Sequence, residues 1–249
     1  MGGFRVLILG GTAEARELSR ILDEDGNYDV FVSLKGLTDR PQSYAGTLVT
    51  GGFGGEAGLR DYLTQTGIDA CVNATHPFAD TMSRNARNAS LALSIPFLRL
   101  RRPQWPRQAG DEWLEVDTIE QAIAAIGPGE TVFLALGSKG SKAFADVRDA
   151  RFLIRTADPV ARERQWSNAD YITGLPNRDV ESEAELLKSR HISCLVARNS
   201  GGKHGYSKIA AARCSGVRVI MIRPPIDAPP GSAQDPETAY KWLESERMA

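Results

Sequence analysis

The sequence has little cysteine and no excess of either charge. Its three cysteines, Cys71, Cys194 and Cys214, are odd in number and widely spaced; this excludes a disulfide framework or a zinc ribbon and points to reduced, mostly buried thiols. No metal site is implied. With 30 Lys plus Arg against 31 Asp plus Glu in 249 residues, bulk charge gives no ground for a nucleic-acid or anionic-membrane partner. Any anion site must be local. No apolar run approaches the roughly 18 residues that span a bilayer, and the N-terminus lacks a basic segment leading into an apolar stretch with a cleavage site, so the expected location is the cytoplasm. Short-period repeats and low-complexity tracts are also missing.

What is present is alternation. Short apolar runs at 5–9, 28–34, 47–50, 69–73 and 96–99 read as strands separated by amphipathic helical stretches, the pattern of a parallel sheet covered by helices on both faces. After "RLRRPQWPRQAGDE" the rhythm starts again, with candidate strands at 113–116, 132–136, 152–155, 171–173, 193–197 and 217–222. The spacing predicts an α/β protein of two units, residues 1–104 and 105–249, joined near Pro103 to Gly110. "PPIDAPPGSAQDP" reads as an extended connection before a last helix at 236–246.

Three loops at the carboxyl ends of the first strands carry the chemistry. In "VLILGGTAEAR", Gly10, Gly11, Thr12 and Ala13 lie where a strand meets a helix, so the first amides of that helix and its dipole favour a phosphate. The dinucleotide fingerprint G-x-G-x-x-G is incomplete, with Thr12 and Ala15 in its second and third glycine places; a plain strand-to-helix turn capped by Thr12 is the other reading. "VSLKGLTDR" places Ser33, Lys35 and Arg40 where NAD-binding chains carry an acidic residue, which suits a 2′-phosphate and NADP, or else is a solvated loop. In "VNATHPFADTMSRNA", Asn73, Thr75 and His76 stand at the ligand-binding edge of an open sheet, with His76 either a donor to a ligand or a structural hydrogen-bonding residue.

Together, "ILGGTAEAREL", "VSLKGLT", "VNATHPFADTMSRNA", "PFLRLRRPQW" and "LVARNSGGKHGYSKIAAA" resemble the precorrin-6A reductase family of cobalamin biosynthesis, from about Arg5 to Pro224. The resemblance implies two Rossmann-like domains with NADPH bound mainly by the first, a tetrapyrrole in the cleft between them, and hydride reduction of precorrin-6A to precorrin-6B. Neighbouring pathway enzymes are the implied protein partners. Lys35 departs from the small residue expected there, and the resemblance does not separate the metal-free from the cobalt-bearing substrate.

A macrocycle fringed with acetate and propionate arms needs fixed cations and donors. "RLRRPQW" offers Arg99, Arg101 and Arg102 beside Trp105. In the second unit Ser138 and Lys139 of "ALGSKGSK", and Arg198, Asn199, Ser200, Lys203 and Tyr206 of "ARNSGGKHGYSK", follow predicted strands in donor-rich, glycine-rich loops suited to an anion. His204 is a further candidate for a substrate carboxylate, whereas His191 reads as structural. The same loops would serve a reductase of another polyanionic substrate; a nucleotide-sensing module, against which the two donor-rich loops of the second unit argue, and a nucleotide-sugar transferase are the other readings.

Overall fold

The computed structural model describes residues 2–34, 36, 43–177, 179–203, 205–225 and 232–249. The chain divides into two compact units, Met1–Pro103 with Pro225–Ala249, and Gln104–Pro224.

The first unit runs β1 (Phe4–Leu9), α1 (Ala13–Asp25), β2 (Tyr28–Leu34), β3 (Thr47–Thr50), α2 (Glu56–Thr66), β4 (Ala70–Asn73), α3 (Asp80–Ala92) and β5 (Phe97–Arg99). Its strands form one parallel sheet in the order β3-β2-β1-β4-β5. Side chains alternate across a strand, so Val6 and Ile8 of β1 meet Leu18 and Leu22 of α1, while Leu7 and Leu9 meet Leu59 and Leu63 of α2 and Ala86 and Ala89 of α3. Both faces are covered, which is why "VLIL" is apolar at every position. Thr12 caps the start of α1, and Gly26 ends it at φ 72°, a left-handed conformation that glycine adopts without strain.

The second unit contains β6 (Trp113–Val116), α4 (Ile119–Ala124), β7 (Thr131–Ala135), α5 (Gly137–Ser141), β8 (Arg151–Thr156), β9 (Ala169–Thr173), α6 (Val180–Ser189), β10 (Cys194–Arg198), α7 (Ser207–Cys214) and β11 (Arg218–Ile222). These strands are also parallel, in the order β6-β11-β10-β7-β8-β9. Strand order reverses between β1 and β4 in the first sheet and between β10 and β7 in the second. Such switch points open a crevice at the carboxyl edge.

Every predicted strand is present, shifted by no more than two residues, as at β9, which begins at Ala169 rather than Tyr171. The end of the chain departs from the predicted boundary. Ala233 bridges to Leu100, donates its amide to Arg99 O at 2.9 Å and accepts from Arg101 N at 2.9 Å. The last helix, α8 (Pro236–Met248), then buries Ala239 and Leu243 in the core that holds Leu18, Leu22 and Tyr28. Residues 232–249 thus complete the first unit, because that is where their backbone partners and apolar contacts lie. No described helix is long and apolar enough to cross a membrane.

Candidate functional site

A cavity of about 600 Å³ sits at the carboxyl edge of the first sheet, lined by Gly10, Gly11, Ser33, the Gly51–Gly55 run, Thr75, His76 and the first turn of α3. Gly10 donates its amide to Ser33 O at 2.8 Å, and a Cβ there would stand 3.0 Å from Leu34 and 3.1 Å from Val32. A side chain there would crowd β2. Gly11 adopts φ 111°, and a Cβ there would meet nothing within 4 Å, so this glycine makes the turn and leaves the helix start open to a ligand. Its amide donates to the Tyr44 hydroxyl at 3.2 Å.

The Thr12 hydroxyl accepts from Ala15 N at 3.1 Å and donates to Ala74 O at 2.7 Å, capping α1 and tying it to the exit of β4. Ala13 begins the helix, where the first-turn amides and the dipole favour negative charge. The starts of α2 and α3, at Gly55 and Ala79, carry no side-chain cap. Three helix N-termini therefore border one cavity, a potential suited to an anion.

The turn between β4 and α3 brings His76 to the same cavity. Phe78 N donates to His76 Nδ1 at 3.3 Å, so Nδ1 serves as the acceptor of the neutral ring and the ring proton resides on Nε2. Beneath the turn, Asn73 Oδ1 accepts from Thr75 N at 3.1 Å, Thr75 Oγ1 at 2.8 Å and Arg99 Nη1 at 2.7 Å, while Nδ2 donates to Ser83 Oγ at 3.0 Å. Arg99, only 2% exposed, also donates to Asn73 O at 2.9 Å and Thr75 O at 3.3 Å. Residues 73 and 99 are register partners on β4 and β5. Asn73 and Arg99 are thus a bracket that holds Thr75 and His76, rather than groups presented to a ligand as the sequence suggested. Arg102 is engaged with Glu14 on α1 at 2.9 Å.

In the second unit, Ser138 and Lys139 are exposed on α5 just after β7, and Arg198 ends the neighbouring β10. A Cβ on Gly140 would lie 3.2 Å from Arg198 Nη2, so the guanidinium lies against the α5 turn, where burial pushes its pKa down. Ser200 N donates to Arg198 O at 2.8 Å, and Lys203 is exposed nearby in sequence. Asn199 and Tyr206 are placed otherwise. Asn199 is buried, accepting from Trp105 N at 2.9 Å and donating to Trp105 O at 3.0 Å, and the Tyr206 hydroxyl accepts from Arg213 at 2.9 Å. His191 takes φ 50° just past α6 and serves the helix end. Lys35, Arg40 and His204 lie outside the described residues.

Residues 5–244 match the family model for precorrin-6x reductase CbiJ/CobK. This chain belongs to the precorrin-6x reductase family. A precorrin-6A reductase of Sinorhizobium sp is 42% identical over 228 residues, covering 90% of this chain and 87% of the relative. One from Rhodococcus erythropolis is 36% identical over 241 residues, covering 96% and 97%. A solved structure of CobK precorrin-6A reductase superposes with a TM-score of 0.89 at 34% identity, covering 99% of this chain and 97% of the other.

Precorrin-6x reductases are oxidoreductases, which implies a nicotinamide cofactor. The first-unit cavity fits one: its open Gly11 turn and helix starts suit a pyrophosphate, and Thr75 and His76 stand at the switch point. The sequence reading missed the Gly51–Gly55 wall and Tyr44. Four glycines in "GGFGG" were the available signal, since Gly51, Gly54 and Gly55 all have positive φ.

Proposed function

We propose that this chain reduces precorrin-6A to precorrin-6B with NADPH as a cytoplasmic enzyme of cobalamin biosynthesis. The observation that carries the reading is the Gly10–Gly11 turn opening onto a cavity that also presents Ser33 and His76, in a chain of this family. The Gly10–Gly11 turn lets the pyrophosphate approach the start of α1, where the backbone amides of Thr12 and Ala13 bind it. Ser33, next to the last residue of β2, brings a hydroxyl where an NAD enzyme carries a carboxylate, with Lys35 and Arg40 following it in the chain. Arg16 adds a cation from α1, its guanidinium 5.9 Å from the Tyr44 ring. These groups favour the 2′-phosphate of NADPH. When bound, NADPH supplies the hydride.

Thr75 and His76 orient the reacting end, and His76 is the group that donates a proton as the reduced macrocycle gathers electron density. Arg198, Ser138, Lys139, Ser200 and Lys203 bind substrate carboxylates in the second unit. Three free thiols, two of them buried, support a reducing compartment.

The test is a titration with NADPH and with NADH, followed by anaerobic NADPH oxidation with precorrin-6A and, separately, its cobalt-bearing analogue. Tighter binding of NADPH and oxidation that requires precorrin-6A are expected. Binding of neither dinucleotide overturns the cofactor site. Binding without turnover of precorrin-6A overturns the substrate and points to another polyanion or to a sensing role.

A further inference from the structure

The second unit contains a buried charge cluster that the cofactor and the loops above do not use. Arg155, near the end of β8, pairs with Glu183 of α6 at 2.9 Å, with side chains 9% and 0% exposed. Both Glu183 oxygens are engaged, since Arg155 Nη1 also lies 3.0 Å from Oε2 and Asn177 N donates to Oε1 at 2.8 Å. Lys208, in the first turn of α7, is 7% exposed; its Nζ donates to Gly205 O at 2.7 Å and stands 5.3 Å from the Trp105 ring centre. Two cations thus stand in the protein interior, and the one carboxylate near them is paired with Arg155. Burial costs each of them solvation, and it is the largest cause pushing Lys208 down to about 8, with Arg155 adding to it and Glu183 opposing.

The surplus charge is not sealed off. Lys208 and Arg155 line a cavity of about 200 Å³ at the carboxyl edge of β7, β8 and β9, completed by Ala135, Gly137, Thr156, Ala157 and the Gly174–Pro176 turn. An ammonium has three donors. Gly205 takes one, and the lining contains no carboxylate. Leu175, at the rim, is 79% exposed, an apolar surface beside a cationic floor. The volume lies below the roughly 300 Å³ at which pockets enclose a whole small molecule, so the cavity takes an arm of a larger ligand.

We infer that Lys208 and Arg155 form a carboxylate-binding pocket that seats one acetate or propionate arm of the substrate against Leu175. The inference rests on the proposed polycarboxylate substrate, and its test separates the two. Propionate alone is the first probe, titrated at constant ionic strength into the full chain while the Trp105 indole resonance is followed by NMR. Saturable movement of that resonance is expected, and its loss in Lys208→Met; no movement, or equal movement in the variant, overturns the pocket. With precorrin-6A, Lys208→Met is expected to raise KM about tenfold or more, the effect of one lost charged hydrogen bond, with NADPH affinity unchanged and Lys208→Arg largely restoring KM. An unchanged KM in a folded Lys208→Met overturns the pocket and leaves the reductase standing. A propionate response in a chain that does not turn over precorrin-6A keeps the pocket and removes the proposed substrate.

Discussion

Thr12 is 8% exposed, with its hydroxyl accepting from Ala15 N and donating to Ala74 O. Thr12→Ala therefore removes a cap and a tertiary tie together, and urea unfolding should show a loss of about 1–2 kcal/mol, most of it recovered in Thr12→Ser. Only the cap was legible in the sequence, since the bond to Ala74 depends on β1 and β4 becoming neighbours. Arg99 illustrates the same limit. An arginine at a strand end reads as a carboxylate fork, but pairing with β4 turns it onto the oxygens of Asn73 and Thr75. Arg99→Met should cost roughly 2–4 kcal/mol by leaving those oxygens unpaired and should weaken NADPH binding; a rise confined to the KM for precorrin-6A at saturating NADPH would instead make Arg99 a substrate ligand. Lys208 gives a pH signature. Its folded value of about 8 lies below the ordinary 10.5, so between the two the unfolded chain holds the extra proton and stability rises with pH. The stability difference between wild type and Lys208→Met should therefore shift in favour of wild type from pH 8 to pH 10.5, and a flat difference would contradict the buried ammonium.

At the scale of elements, the strands were legible because each central one is covered on both faces. Val6 to Leu9 and Cys194 to Ala197 are buried at every position, so composition alone marks them, whereas helix positions needed periodicity. The Gly51–Gly55 loop was not read because its contribution is open space, which leaves no side-chain pattern. The start of α2 shows how closely that loop is held. A Cβ on Gly58 would overlap the carbonyl oxygen of Phe53, and Phe53 packs on Tyr62 of α2 with ring centres 5.0 Å apart. Gly58→Ala has a helical position that otherwise favours alanine by about 1 kcal/mol, yet here it must displace the loop. The expected result is the reverse of the helix-propensity trend, a less stable protein with weaker NADPH binding. Equal or greater stability, measured by thermal unfolding, would show that the loop yields without consequence to the cavity wall.

At the scale of the whole chain, order in sequence and order in space part company at Pro225. The second sheet is complete at β11, while the first unit lacks a cover over Leu18, Leu22 and Tyr28 until α8 arrives. The sequence reading followed chain order because nothing in residues 225–235 names a destination; the deciding contacts, Ala233 with the backbone of Arg99 and Arg101, are nonlocal. Magnitudes make the consequence testable. Leu243 is fully buried, so Leu243→Ala should cost roughly 2–5 kcal/mol, while NADPH at 100 times its Kd returns about 2.7 kcal/mol only to the cooperative unit that binds it. If α8 is part of that unit, NADPH raises the melting transition of the Leu243→Ala variant and recovers much of its deficit, whereas a chain truncated after Pro224 loses NADPH binding although Gly10, Gly11, Thr12, Ser33 and His76 are all retained. Unaltered NADPH affinity in the truncated chain would instead show that residues 1–103 fold and bind without the returning helix.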